Sequence, residues 1–180
     1  MKATGIVRRI DDLGRVVIPK EIRRTMRIRE GDPLEIYTEK DGEVIFKKYS
    51  PMGELASFAA QICESLNKAT DCVTTVCDRD TVIAVSGGAR RELQDKRVSP
   101  ELERIMEGRK LYKYEQGGEY EPVLEGEDRH SIVVAAPILS EGDVLGCVMF
   151  VSQKNGVPSG EIEVKLAQTV AGFLGRQMES

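Results

Sequence analysis

The sequence lacks most of what a catalyst or a metal centre needs. It has one histidine, His130, and four cysteines, Cys63, Cys72, Cys77 and Cys147. No two cysteines form a CxxC pair, so a zinc cluster is not expected, and none of the other residue patterns calls for a metal or a cofactor. GxxxxGK[ST], HExxH and GxSxG are all absent. Any dyad would have to use His130, which lies between an acidic stretch and an apolar run, where a hydrogen-bonded or exposed histidine is expected. No apolar run approaches the ~18 residues of a membrane span. Lys2, Arg8 and Arg9 interrupt the start, where a secretory signal would need an apolar stretch. A cytoplasmic protein with no membrane partner is expected, its thiols free and buried.

Strong charge of one sign is also missing from the whole, but not from its parts. The formal net charge is −4. Residues 1–50 carry 12 Lys and Arg against 9 Asp and Glu, and residues 51–180 carry 14 against 21. An acidic chain with a basic end does not suit indiscriminate polyanion binding. It suits one basic working surface.

That surface is the stretch GIVRRIDDLGRVVIPKEIRRTMRIR, residues 5–29, with seven arginines and one lysine. Arginine presents a planar fork of donors that fits phosphate oxygens and guanine edges. Residues 6–10 and 15–18 read as strands joined by an Asp11-Asp12-Leu13-Gly14 turn. Pro19 ends the second strand and opens a short helix to Arg27. Ile22 and Met26, four apart, give that helix an apolar side, with Arg23 and Arg24 pointing elsewhere. Residues 34–39 and 43–48 read as a hairpin through Lys40-Asp41-Gly42. Its strands are apolar on both faces. Fifty residues cannot cover both by themselves, so an intertwined dimer is expected.

Residues 4–37 resemble the swapped-hairpin DNA-binding domain of the AbrB transition-state regulators. The resemblance is carried by Gly5-Ile6-Val7-Arg8, by Leu13 to Pro19, and by Arg23-Arg24, and covers a block of about fifty residues. It implies a homodimer that binds double-stranded DNA. It maps the family's contact arginines onto Arg8, Arg15, Arg23 and Arg24. Position 9, often lysine in relatives, is Arg9 here and keeps the charge.

Residues 51–55 read as a linker. Overlapping its end, residues 54–67 read as a helix with an apolar stripe through Leu55, Phe58, Ala59, Ile62, Cys63 and Leu66, which suits either a core-facing or a subunit-packing helix. Strands follow at 72–77 and 82–85, a helix capped by Ser99-Pro100-Glu101, and a short strand at 111–114. Residues 115–129 read as a long acidic loop, a solvated loop or a lid over a pocket in which Arg90 or Arg91 holds an anion. Strands at 131–139 and 144–151 and a helix from Pro158 onward complete the chain. This order suggests an α+β layer with one sheet, and it resembles a GAF domain. The expected architecture is an AbrB-like β-barrel unit at 1–50, a linker at 51–55, and a GAF-like sensing and oligomerisation unit at 56–180.

The resemblance implies a nucleoid-associated transcription regulator of sporulation genes, not an enzyme, that represses and activates. A small molecule on the GAF-like unit is the one ligand to consider. The two flanking helices are expected to pair dimers into a homotetramer through Phe58, Ile62, Leu166, Val170 and Phe173. Two other classes remain: an antitoxin, some of which share this hairpin, and a cysteine-based sensor enzyme. The ~130 residues beyond the hairpin, strongly periodic, argue against the first.

Overall fold

In the computed structural model, residues 4–153 and 160–179 are described. The chain divides into two compact units, one ending at Tyr49 and one beginning at Ser50.

The first unit contains helix α1 (Lys20–Met26) and the hairpin β1 (Leu34–Thr38) and β2 (Val44–Lys48). The hairpin pairs in register from Leu34↔Lys48 to Thr38↔Val44. Gly42 holds a positive φ of 82° in its turn, a conformation that favours a residue without a Cβ. The strands expected at 6–10 and 15–18 do not pair with each other in this chain. Only their turn is closed, by Asp11 N–H to Arg15 O at 3.0 Å and Gly14 N–H to Asp11 O at 3.0 Å. A strand is defined by the ladder it makes, and one chain supplies no neighbour for these two. Among the described residues sixteen large apolar side chains are exposed, and twelve of them precede Ser50. One copy of this unit therefore has almost no core.

The second unit is built on one sheet. It starts with α2 (Pro51–Glu54), which replaces the expected linker at 51–55. Ser50 caps it by accepting from Gly53 N–H, and Met52 is fully buried. A buried methionine anchors this segment. The remaining elements are α3 (Ala56–Thr70), β3 (Val73–Asp78), β4 (Val82–Ser86), α4 (Arg90–Leu93), α5 (Pro100–Glu107), β5 (Tyr112–Lys113), β6 (Pro122–Leu124), β7 (Glu127–Ser140), β8 (Asp143–Ser152) and α6 (Glu161–Gln177). The proposed helix start at Pro158-Ser159 lies outside the described residues.

The strand order is β4-β3-β8-β7-β5, with β6 also on β7, and every pairing is antiparallel. Period-two alternation sends Val76, Val148 and Phe150 to one face, with Ala59, Cys63, Ala171 and Leu174 of α3 and α6. It sends Cys77, Cys147 and Met149 to the other, with Leu93 of α4 and Leu102 and Met106 of α5. Gly175 lets α6 approach β7 closely, because a Cβ there would run into the Leu139 carbonyl. The expected loop at 115–129 is loop only in part: β6 and the start of β7 lie within it, and Val123 and Leu124 are buried in the second core. Three apolar residues between acids were too short a run to read as a strand.

Candidate nucleic-acid interface

Arg8, Arg9, Arg15, Arg23 and Arg24 are all exposed. Arg15 stands at the closed end of the turn. Asp11 organises it: its Oδ1 accepts from the Arg15 amide at 2.8 Å and the Leu13 amide at 3.0 Å, and its Oδ2 accepts from Arg15 Nε at 3.0 Å. The Arg15 amide, with the Arg15 side chain and the Leu13 amide, holds the Asp11 carboxyl below its usual range. The guanidinium is thus tethered through Nε while the side chain stays 70% exposed. Arg8 and Arg9 flank the turn on the incoming segment.

Arg23 and Arg24 project from α1. Arg23 Nε donates to Ile18 O at 3.2 Å, which ties that side chain to the segment before the helix. The expected apolar side of α1 is only partly covered: Ile22 is half-buried and Met26 is 50% exposed. Three exposed arginines at or before one turn and two on one short helix are side chains of the kind that suit a sugar–phosphate backbone and base edges. Two residues that the sequence reading passed over, Asp32 and Lys48, hold the far end of α1. Their partners lie up to 21 residues away, beyond any local signal.

In the second unit the cysteines are free. Cys63, Cys77 and Cys147 are buried; burial pushes Cys63 up to about 12 and raises Cys77 and Cys147 well above the thiol range. Such thiols supply no thiolate near neutral pH. His130 is 3% exposed, with Nδ1 3.0 Å from Glu127 Oε2 and Nε2 3.6 Å from Glu92 Oε2. It is a satisfied buried histidine. Arg90 and Arg91 are exposed on the four-residue α4.

Four of the five proposed assembly positions, Phe58, Ile62, Leu166 and Val170, pack against the core without being fully buried in it. Toward the sheet α3 and α6 present Ala59, Cys63, Ala167, Ala171 and Leu174. Phe58, Ile62, Leu166 and Val170 are half-buried and Phe173 is 39% exposed, with the Phe58 and Phe173 rings 6.0 Å apart.

Comparison with known proteins gives a match over residues 54–179 to the family described as stage V sporulation protein T C-terminal, transcription factor. The chain is 51% identical to stage V sporulation protein T of Bacillus subtilis, over 99% of both chains. The chain belongs to the stage V sporulation protein T family. Residues 7–53 match the antidote-toxin recognition MazE family, and the N-terminal block is 63% identical to the transition state regulatory protein AbrB of Bacillus subtilis, over 28% of this chain and 52% of that protein. The fold of the second unit is that of a GAF domain. A GAF domain/HD domain protein from Geobacter sulfurreducens matches at 14% identity, covering 74% of this chain and 99% of that one, with a TM-score of 0.50. The chain thus couples an AbrB-like unit to a GAF-like one.

Proposed function

We propose that this chain recognises double-stranded DNA through Arg8, Arg9, Arg15, Arg23 and Arg24, presented by two interleaved copies of the N-terminal unit. The protein is a DNA-binding transcription regulator of sporulation genes, as its family membership implies. What carries the interleaved arrangement is the exposure of twelve large apolar side chains in a unit of 49 residues that already displays five exposed arginines. Segments 6–10 and 15–18 offer unpaired backbone beside these side chains, which a second copy would pair and cover. The dimer doubles every arginine, so the contact surface exceeds that of one chain.

The test is fluorescence anisotropy with each arginine replaced by Ala across a salt series. Each loss should be roughly 1–3 kcal/mol where the side chain reads a base. Where it neutralises a phosphate, the slope of log K against log salt should flatten by about 0.9. Variants that all bind like the parent refute the assignment.

The second unit acts without catalysis, as an assembly and sensing module. Large side chains on the outer sides of α3 and α6, above alanines that face the sheet, support pairing of dimers into a homotetramer. Two heads on one particle would then engage paired sites with an effective-concentration gain. Changing Ile62 and Phe173 together to Glu should give a folded dimer by ultracentrifugation; an unfolded second unit would mean that both belong to its own core. A small-molecule ligand is supported by Thr75, whose buried hydroxyl makes no hydrogen bond among the described residues and lies on the sheet face under α4 and α5. Ligand-induced thermal stabilisation that disappears in Thr75→Val is the expected sign. The antitoxin reading rests on the hairpin alone, whereas the match over residues 54–179 is to a transcription factor.

A further inference from the structure

We infer that Lys48 is a positioning residue for DNA recognition, holding from β2 the end of the helix that carries Arg23 and Arg24. The inference rests on the reading that those two arginines touch DNA. Helix α1 has seven residues, none of them buried, and no side-chain cap at its N-terminus. A helix so short is marginal by itself, so its placement depends on what grips its ends. At the C-terminal end the chain turns through Arg27 in the left-handed region, at φ 51° and ψ 41°. That conformation is disfavoured for a residue with a Cβ. It is closed by Ile28 N–H to Arg23 O at 2.8 Å and Arg27 N–H to Arg24 O at 3.3 Å, so the carbonyls of both arginines take part in the turn.

Lys48 reaches this turn from across the unit. Its Nζ donates to the Arg27 carbonyl at 2.9 Å and lies 3.7 Å from Asp32 Oδ2. The same Asp32 oxygen accepts from the Arg29 amide at 2.9 Å. The side chains are 23% exposed for Lys48 and 5% for Asp32, so screening by water and salt is weak. A cation at this place also complements the negative end of the helix. Lys48 is fixed at its base by its pairing with Leu34, which makes the hairpin the reference frame for α1. Its neighbour Lys47 points to the opposite face, where it lies 4.4 Å from the centre of the Tyr37 ring. Through these two contacts the charge of Lys48 acts on Asp32 and on the end of α1, the helix that carries Arg23 and Arg24.

The full-length protein tests this with Lys48→Met, Arg23→Ala, Arg24→Ala, Arg8→Ala and the doubles containing Lys48→Met. Lys48→Met should weaken DNA binding about tenfold, with the coupling expected of residues that share a network. The slope of log K against log salt should stay unchanged, because no phosphate contact is lost. Lys48→Arg should recover most of the affinity. In the Lys48→Met background Arg24→Ala and Arg23→Ala should cost less than in the parent, while Arg8→Ala should cost the same. A merely destabilising substitution would not select between these partners. Unchanged affinity, a slope flattened by about 0.9, or strict additivity with both helix arginines would overturn the inference. Should Lys48→Met melt the N-terminal unit at the assay temperature, Asp32→Asn weakens the same grip and must show the same selective coupling. Arg23→Ala and Arg24→Ala variants that bind like the parent would instead overturn the contact assignment, and this inference with it.

Discussion

Valine and isoleucine meet opposite fates on the two sides of Ser50. Before it, Val17 is 70% exposed and Ile36 62% exposed. After it, Val76, Val82 and Ile138 are fully buried between a sheet and its helices. The residue types are the same, so what differs is the number of elements available to cover them. The second unit has six strands and helices on both faces. The first has one hairpin, one short helix and two unpaired segments. In the proposed interleaved arrangement, a unit that exposes so much apolar surface while showing arginines to solvent gains its stability from association, and its folding and its DNA surface are then one property.

The most severe way to break this contrast is Val17→Asp. A buried charge at a subunit interface should abolish association and folding of the first unit and leave the second unit's melting transition in place. Two-probe calorimetry with ultracentrifugation reads both. In the parent, residues 1–53 alone should unfold with a midpoint that rises with protein concentration, since folding and dimerisation are one event. A folded monomer would end the interleaved arrangement.

Next in size is the reverse experiment. Phe150→Ala empties the core between the sheet and α3–α6 and should cost the second unit about 3–5 kcal/mol by chemical denaturation. Full-length dimerisation through the first unit should survive. Smaller again is Ser99→Ala. Ser99 Oγ accepts from Leu102 N–H at 3.0 Å and donates to Pro122 O at 2.6 Å, so it caps α5 and ties it to β6. Its loss should cost about 1–3 kcal/mol in the second unit alone.

The smallest effect concerns Glu127. Burial raises its pKa, but hydrogen bonds from His130 and the Arg129 amide outweigh this and hold it below its ordinary value of 4.5. A lowered folded pKa contributes stability above pH 4.5 that disappears as the pH falls through the folded value. Glu127→Gln should flatten the acid side of the second unit's stability profile. An unaltered profile would show that other carboxylates carry it.

The stripe on α3, the Ser99-Pro100 start of α5, the apolar runs of β7 and β8, and the Asp11–Gly14 turn were legible because each is a local pattern of period, cap or turn residue. So was the candidate surface, since paired arginines around a turn and a proline-led helix need no tertiary information to be noticed. Strand β6 was not, because Pro122, Val123 and Leu124 are too few to show a period and are defined by pairing with β7. Helix α2 was legible only as a helix start within a linker, because Met52 is its one buried residue.

By itself, then, the order of residues determined the secondary elements long enough to repeat, the bipartite charge, and an N-terminal hairpin apolar on both faces. Tertiary structure decided what depends on distant partners. It set which face of each strand met which helix, and it enclosed His130 between Glu92 and Glu127. It left Phe58 and Ile62 half-buried against the core that Ala59 and Ala171 help to fill, and Phe173 39% exposed. It also brought Lys48 to the carbonyl of Arg27. The physical reason is range: propensity and periodicity act over a few residues, whereas burial and hydrogen-bond satisfaction are settled between groups the chain brings together only when it folds.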